Sequence, residues 1–420
     1  MEKLDDEWFT YKNMLYEALE NEFIRTALRR AIKSFRTNRD KAIQRFPEVR
    51  EKRKKLRKVK EYVLMHLDEM IKITIESFEA MKGHAYYAKT VKDALKIFDE
   101  IIGSGKIVVK SKSITSEEVN LNEFLEERGN TVYETDLGEF IIQNLGSKPM
   151  HILSPAIHVP KEKVAELFSK IIKQKVPPDV NQLVSITRNL LREKFFEADV
   201  GISGANAVSA NTGSIFVIEN EGNARFATNA PPIYIALAGI EKIVPTLMDG
   251  MLLVEVVSRY ASYYIPSFVS IISGPSKTGD IEKIPVYGVH GPKEVHLILL
   301  DNGRSEIAKD PIFKEALYCI RCGSCLYECP VYTLTTGYFG YKYFGGIGAI
   351  WTAFIAGGLE KAFPIAYTCT LCGRCVKTCP MEIDVPEMVL KLREILSRKN
   401  YIPKFVKNMV HKILAEKTPY

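Results

Sequence analysis

All eight cysteines of this 420-residue chain fall into two copies of one pattern near its C-terminus. The first is Cys319, Cys322, Cys325 and Cys329 followed by Pro330; the second is Cys369, Cys372, Cys375 and Cys379 followed by Pro380. This C-x-x-C-x-x-C-x-x-x-C-P run is the spacing that holds [4Fe–4S] clusters in bacterial-type ferredoxins. A cubane needs four thiolates near the corners of a tetrahedron. Three cysteines on a tight loop reach one cluster, and the fourth, just before a chain-turning proline, reaches its neighbour. The expectation is two [4Fe–4S] clusters. Cys319, Cys322, Cys325 and Cys379 hold the first; Cys369, Cys372, Cys375 and Cys329 hold the second.

Other uses of the cysteines fit less well. Disulfide frameworks belong to short secreted chains, whereas this one is long and opens MEKLDDEW with no apolar signal segment. Zinc sites pair two C-x-x-C units and do not add a third cysteine at the same step. Clusters of this kind are damaged by oxidants, so a cytoplasmic or cytoplasm-facing location is expected, membrane-associated if at all through partners.

Composition is that of an ordinary soluble protein, 46% hydrophobic and 26% charged. A net charge of +7 is mild for this length and gives no reason to expect nucleic acid. Much of the excess lies in Arg50 to Lys60, where eight of eleven residues are basic. Such a run reads as a solvated helix face, or else as a docking surface for an acidic partner. Between Lys342 and Glu360 lie seventeen uncharged residues, five of them glycine. That is the bottom of the membrane-spanning range, and the glycines weaken a lipid-facing helix. The segment reads as packing around the clusters or against a partner subunit, with peripheral membrane contact as the alternative.

Periodicity divides the chain into an N-terminal helical region (1–83), an α/β domain (84–305) and a mainly helical cluster domain (306–420). Gly83 is expected to close the first region. Thr90 to Ile102 has helical period and ends at Gly103; Lys106 to Val109 is a short strand. Thr115 to Arg128 reads as one helix with a Thr115/Glu118 capping box. Thr131 to Thr135 and His151 to Leu153 read as strands, and Pro160 to Lys173 as a helix with proline in its first turn. Strand and helix in turn argue for a largely parallel sheet. Beyond residue 199 come short strands at Val200–Ser203, Ser214–Glu219, Ala224–Thr228 and Ile233–Ala238, with Glu221-Gly222-Asn223 as a hairpin turn. Val295 to Leu300 is a last buried strand. Pro386–Arg398 and Pro403–Ala415 are helices beginning at proline.

Several stretches are more specific than the cysteines. They include Lys110-Ser111-Lys112-Ser113, Glu117-Glu118-Val119-Asn120-Leu121-Asn122, Glu134-Thr135-Asp136-Leu137-Gly138-Glu139 and Ala198-Asp199-Val200-Gly201-Ile202-Ser203-Gly204. Asn211-Thr212-Gly213-Ser214, Glu221-Gly222-Asn223 and Asp301-Asn302-Gly303-Arg304 complete the set. On these residues the chain resembles the lactate utilisation protein B family, nearly end to end. The resemblance implies a LUD domain with a fold like the glucosamine-phosphate deaminase, ribose-phosphate isomerase and CoA-transferase group (NagB/RpiA/CoA-transferase-like), then a ferredoxin-type two-cluster domain. It implies an iron–sulfur electron-transfer subunit of a complex that oxidises L-lactate or a similar 2-hydroxy acid. The implied partners are a cysteine-rich subunit similar to heterodisulfide reductase proteins and a second LUD-domain subunit, with a quinone or a soluble protein as acceptor. With no recognisable flavin motif, the chain is not expected to carry out a two-electron dehydrogenation alone. The alternatives are a stand-alone LUD-domain enzyme acting on a small acid or CoA thioester, and a heterodisulfide-reductase-like subunit of sulfur metabolism.

Within the LUD region, the family's best-matching positions fall at strand ends and turns, where open α/β sheets place ligands. Lys110 and Lys112 are candidates to grip a carboxylate or phosphate, unless they pair with Glu117 or Asp136. Asp199, Ser203, Asn206, Thr212, Ser214 and Arg225 complete a candidate pocket, although glycines nearby are explained equally by tight turns. No G-x-G-x-x-G follows the first strand, so a dinucleotide site has little support. Glu219-Asn220-Glu221-Gly222 is similar to the glutamate loop of CoA-transferases, but a hairpin turn explains the same residues. His151, His158, His290 and His296 show no metal spacing and are read as structural, and no catalytic residue is identified.

Overall fold

The computed structural model describes residues 2–417. Four helices come first: α1 (Glu2–Glu20), α2 (Glu22–Arg45), α3 (Val49–Met65) and α4 (Leu67–Ala80). The last ends before Gly83, and it is Lys82, at φ 68°, that takes the left-handed turn. The Gly83 N–H closes back on the Phe78 carbonyl at 3.2 Å.

The α/β part follows as β1 (His84–Ala88), α5 (Val91–Ile102), β2 (Ile107–Lys110), α6 (Ile114–Glu118), α7 (Leu121–Glu127), β3 (Thr131–Glu134), α8 (Leu137–Leu145), α9 (Lys161–Ile172), α10 (Val180–Glu197) and β4 (Val200–Gly204). It continues with β5 (Ala207–Ser209), β6 (Ser214–Glu219), α11 (Asn223–Asn229), β7 (Ile233–Gly239), β8 (Ile243–Val244), α12 (Leu247–Tyr260), β9 (Phe268–Ile272), β10 (Lys277–Thr278), β11 (Val286–Tyr287) and β12 (Glu294–Leu300). Six strands form a parallel sheet in the order β1-β12-β7-β4-β2-β3. The central strands are continuously apolar because both faces are covered. Val108 faces α5 and α7 with Phe98 and Leu125, while its neighbour Val109 faces α8 to α10 with Phe140, Phe168 and Leu191. A smaller mixed sheet, β8-β5-β6-β9, supplies the expected antiparallel section.

Four sequence expectations give way here. The Thr115–Arg128 helix is two helices, α6 and α7, parted by Asn120 at φ 51°, and the cap is Ser113, whose hydroxyl accepts from the Ser116 N–H. His151–Leu153 is not a strand, because His151 Nδ1 accepts from the Leu153 and Ser154 N–H groups at 3.0 and 3.1 Å and bends the chain. Ala224–Thr228 is helical and the hairpin does not exist. The Glu219 carboxylate accepts from the Ala224 and Arg225 N–H groups, both at 2.8 Å, and so starts α11. Helices α8, α10 and α12 were not anticipated.

The C-terminal part is mainly helical: α13 (Arg304–Lys309), α14 (Ser324–Glu328), α15 (Tyr332–Thr335), α16 (Gly345–Trp351), α17 (Gly358–Thr368), α18 (Arg374–Thr378), α19 (Val385–Arg398) and α20 (Lys404–Glu416). It sits against the carboxyl edge of the parallel sheet. Tyr332 and Thr336 hydroxyls donate to the Met150 carbonyl at 3.0 and 2.6 Å, and Asn302 donates to the Ile355 carbonyl at 3.0 Å. The basic run is a solvated face only in part: Arg50, Lys54, Lys55 and Lys58 are exposed, and the other four basic residues turn inward. On α3, Arg53 and Arg57 reach the carbonyls of Cys379, Pro380, Met381 and Glu382, and Arg57 pairs with Glu315 at 2.7 Å. Among the described residues no helix is long and apolar enough to cross a membrane.

Candidate functional site

The two cysteine motifs fold alike. Cys319 and Cys369 each end a helical turn, and the residues two further on, Arg321 (φ 62°) and Leu371 (φ 55°), lie in the left-handed region. Gly323 and Gly373 (φ 78° and 72°) then start the short helices α14 and α18, which end at Cys329 and Cys379. Alternating handedness coils the loop so that three thiols face one space. The space beside the first loop is lined by Cys319, Cys322, Cys325 and, from the other motif, Cys379. The adjoining space is lined by Cys369, Cys372, Cys375 and, again crossing over, Cys329. Cys325, Cys375, Ile347 and Val385 border both spaces.

The glycine-rich segment supplies cover. A Cβ on Gly346 would lie 3.2 Å from Cys369 Sγ and 2.9 Å from Val385, so the backbone approaches the second space where a side chain has no room. Cys322 is buried and Cys372 is exposed. Burial, then Cys379 nearby, push the Cys322 thiol up to about 12; burial, then Cys369 and Cys329, push Cys375 up to about 12. At Cys372 the upward push of burial is outweighed by hydrogen bonds from the Arg374 N–H and the Thr370 hydroxyl, and its pKa falls. Thiols crowded this way ionise only if cationic metal takes the place of their protons. Five thiols border each space, with Cys325 and Cys375 common to both, so the eight sulfurs suit a [4Fe–4S] cubane in each.

Next to the first space lies a buried ionic cluster. Arg304 forks onto Glu118 at 2.9 and 2.7 Å and reaches Glu241 at 2.5 Å. The Tyr343 hydroxyl donates to Glu118 at 2.7 Å, Asn302 donates to the same carboxylate at 2.7 Å, and the Lys60 ammonium donates to the Glu241 carbonyl. Arg321 lies 3.7 Å from Glu241 and 3.7 Å from the Trp351 ring centroid. Burial, then Arg321, depress the Lys242 ammonium to about 8; burial depresses Lys60 to about 8. Burial alone would raise the Glu241 carboxyl, but Arg304, Lys242, Arg321 and Lys60 bring it down to about 2. Four cations (Lys60, Lys242, Arg304, Arg321) therefore face two carboxylates, and the fields of both lysines reach Cys319. A positive excess buried there is costly unless an anion is beside it. A cubane bound by four thiolates is such an anion, so the first space fits its cluster in charge as well as in donors.

The candidate pocket of the LUD region is not one place. Lys110 is buried under the sheet edge, 2.6 Å from Glu134 and 3.4 Å from Glu117, and Lys112 pairs with Asp136 at 3.0 Å. Asp199 is at the opposite edge, accepting from the Ile107 N–H and facing Lys106 at 3.5 Å. The Ser203 hydroxyl is buried against Tyr234, and Asn206 accepts from the Ile218 N–H. Thr212 and Ser214 belong to a hydroxyl chain with Ser209 and Ser273 in the small sheet. Arg225 lies over the Phe268 ring, 4.1 Å from its centroid. Lys112 lines a cavity together with Glu139, Lys148, His151 and Lys342. The sequence signal for the last of these was slight: Lys342 bounds the uncharged run.

Glu139 shows what this edge costs. Burial, then Glu134 and Glu117, push its carboxyl from 4.5 to about 8. The folded chain then binds a proton that the unfolded chain gives up between those values, so stability falls as pH rises from 4.5 to about 8. Replacing Glu139 with Gln is expected to raise the melting temperature above pH 8 and to change it little near pH 4.5, as thermal melts at the two pH values would show.

Comparison with known proteins agrees with this arrangement. The LUD domain matches residues 71–300, and the 4Fe-4S dicluster domain matches residues 315–383. Lactate utilization protein B of Bacillus subtilis (strain 168) is 36% identical over 93% of this chain and 80% of its own length. The same protein of Shouchella clausii is 35% identical over 93% of this chain and 81% of its own length. A solved DUF162 family protein from Deinococcus radiodurans covers 57% of this chain and 98% of its own at 11% identity and a TM-score of 0.29, too low to bear on the fold. With a LUD domain, a 4Fe-4S dicluster domain and relatives matched along nearly its whole length, the chain belongs to the lactate utilization protein B family.

Proposed function

We propose that this chain is the iron–sulfur electron-transfer subunit of a complex that oxidises L-lactate, or a similar 2-hydroxy acid, to the 2-oxo acid. The observation that carries this reading is the pair of thiol-lined spaces with a shared wall, eight cysteines in all, each space bordered by cysteines of both motifs. Cys319, Cys322, Cys325 and Cys379 would hold one [4Fe–4S] cluster, and Cys369, Cys372, Cys375 and Cys329 the other. Bound there, such clusters supply one-electron steps, which let a two-electron donor be emptied one electron at a time. The chain's own residues position and insulate: Ile347 and Val385 cover both spaces, and the lysine pair offsets negative charge at the first. Cys372 is the exposed thiol, so the second space is the side from which a partner accepts electrons. The partners proposed are a cysteine-rich subunit of the heterodisulfide reductase kind and a second LUD-domain subunit, with a quinone or soluble protein beyond them. The α/β domain is proposed to share the fold of the glucosamine-phosphate deaminase and CoA-transferase group. A CoA-transferase activity of the chain alone is disfavoured, since Glu219 is committed to starting α11.

The test is anaerobic purification of the native complex, metal analysis, and low-temperature paramagnetic resonance after L-lactate is added. Iron with acid-labile sulfide, and signals that appear with lactate, are expected. Zinc in place of iron, or clusters that dithionite reduces and lactate does not, would sink the reading.

A further inference from the structure

A cavity of about 240 Å³ opens at the seam between the carboxyl edge of the parallel sheet and the cluster-binding part. The first turn of α8 contributes Glu139, the loop after α8 contributes Lys148 and His151, and the segment between the cysteine motifs contributes Lys342. None of these residues has a role in holding the clusters.

His151 is the most informative of them. It is 1% exposed, and burial holds its imidazole neutral by pushing its pKa down to about 3. Because Nδ1 accepts two backbone N–H bonds, the proton must sit on Nε2. That buried Nε2 has no hydrogen-bond partner. A buried donor left unsatisfied costs about 1–3 kcal/mol, which an acceptor from outside the chain would recover. Glu139 keeps its proton at neutral pH and adds a second neutral donor.

Two ammonium groups at the cavity have no carboxylate partner among the described residues. Glu117 shares Lys110, at 3.4 Å, with Glu134 at 2.6 Å, and Lys112 pairs with Asp136 at 3.0 Å. Lys342 bonds only to neutral acceptors, the carbonyls of Glu117 and Glu118 and Asn120 Oδ1. Lys148 has no carboxylate partner among the described residues and lies over the Tyr341 ring at 5.9 Å. Glu123 is the further carboxylate of the lining, so what marks the site is two ammonium groups without a carboxylate partner, not a net positive charge. Sites for drug-sized molecules and cofactors occupy about 300–1,000 Å³, so this one suits something smaller. Ile114, Ile152, Lys342 and Phe344, which line the cavity, also line the space that reaches Cys319 and Cys325. The cavity thus adjoins the first thiol set and not the second.

We infer that this cavity binds a small monocarboxylate of the 2-hydroxy acid class, its carboxylate held by Lys148 in the field of Lys342 and its remaining acceptor by His151 Nε2–H. The choice of acid rests on the function proposed above; the anion site itself does not.

The experiment uses the full-length protein carrying its iron–sulfur clusters, titrated anaerobically by calorimetry with L-lactate, glycolate, neutral lactamide and inorganic phosphate. Saturable binding of L-lactate or glycolate is expected, with lactamide at least about tenfold weaker, a difference of about 1.4 kcal/mol. Lys148 is exposed, so Lys148→Met should fold and keep its iron while losing about tenfold in lactate affinity. L-lactate should also perturb the paramagnetic signal of the dithionite-reduced wild type, and not that of Lys148→Met. No saturable binding of either acid at millimolar concentration would overturn the inference. So would unchanged affinity in Lys148→Met, or phosphate binding more tightly than both acids. The two readings fail separately. Lactate that reduces the Lys148→Met complex with an unaltered KM removes this site and leaves the function, whereas lactate that binds here without reducing the clusters in the wild-type complex does the reverse.

Discussion

Replacing Cys322 by alanine is expected to abolish lactate-dependent reduction of the acceptor in the purified complex while the α/β domain stays folded. Cys322 is the buried thiol of the first set, and after burial it is Cys379 from the other motif that most raises its pKa. Without it, three ligands remain at the space nearest the sheet, and iron should fall from about eight atoms per chain towards about four. The second set is untouched, because Cys329, although it belongs to the first motif, faces Cys369 and Cys372. The sheet depends on apolar contacts such as Val108, Phe98 and Leu125, none of which involves a cysteine, so far-UV circular dichroism should barely change. Alanine at Cys372 should instead empty the exposed second space and leave the first set's signal in place. Acceptor reduction persisting in the Cys322 variant would remove the relay assignment.

The grouping of the thiols was legible in the sequence because it is local: spacing fixes which thiols share a loop, and the proline after each fourth cysteine turns the chain there. Long apolar strands were legible for a similar reason, as in Val295–Leu300, whose faces are both buried. Elements set by one side chain capping backbone a few residues further on were not. Glu219 turns an apparent hairpin into a helix start, and His151 turns an apparent strand into a bend. The α/β candidates failed as a group for a topological reason. Asp199 precedes β4 whereas Lys112 follows β2, and because these two strands pair in parallel the residues lie at opposite edges of the sheet, a pairing the sequence does not mark. The residues that share the seam come from positions as far apart as Lys60, Glu118, Glu241, Arg304 and Tyr343, and only the fold brings them together.

That seam makes Arg304 the position where one substitution should cost most stability. Arg304 is fully buried at the start of α13, and its guanidinium joins Glu118 on α6, Glu241 after β7 and the Asp301 carbonyl at 3.0 Å. Through Glu118 it also fixes Tyr343 from the segment between the cysteine motifs. An intact buried ion network adds little net stability, because desolvation offsets attraction, but removing one partner leaves the others charged and unpaired. Arg304→Met should therefore cost about 3–5 kcal/mol, a large part of the roughly 5–15 kcal/mol that holds a domain folded. Lysine should rescue only part of this, since one ammonium cannot fork onto Glu118 and reach Glu241 as well. Replacing Glu118 by Gln in the Arg304→Met background removes one stranded charge and should restore part of the loss, which an additive structural defect would not do. Anaerobic urea unfolding of the four proteins measures all three differences. A loss below about 1 kcal/mol for Arg304→Met, or a further loss on adding Glu118→Gln, would mean that the seam is held by apolar packing around Trp351 and not by this charge network.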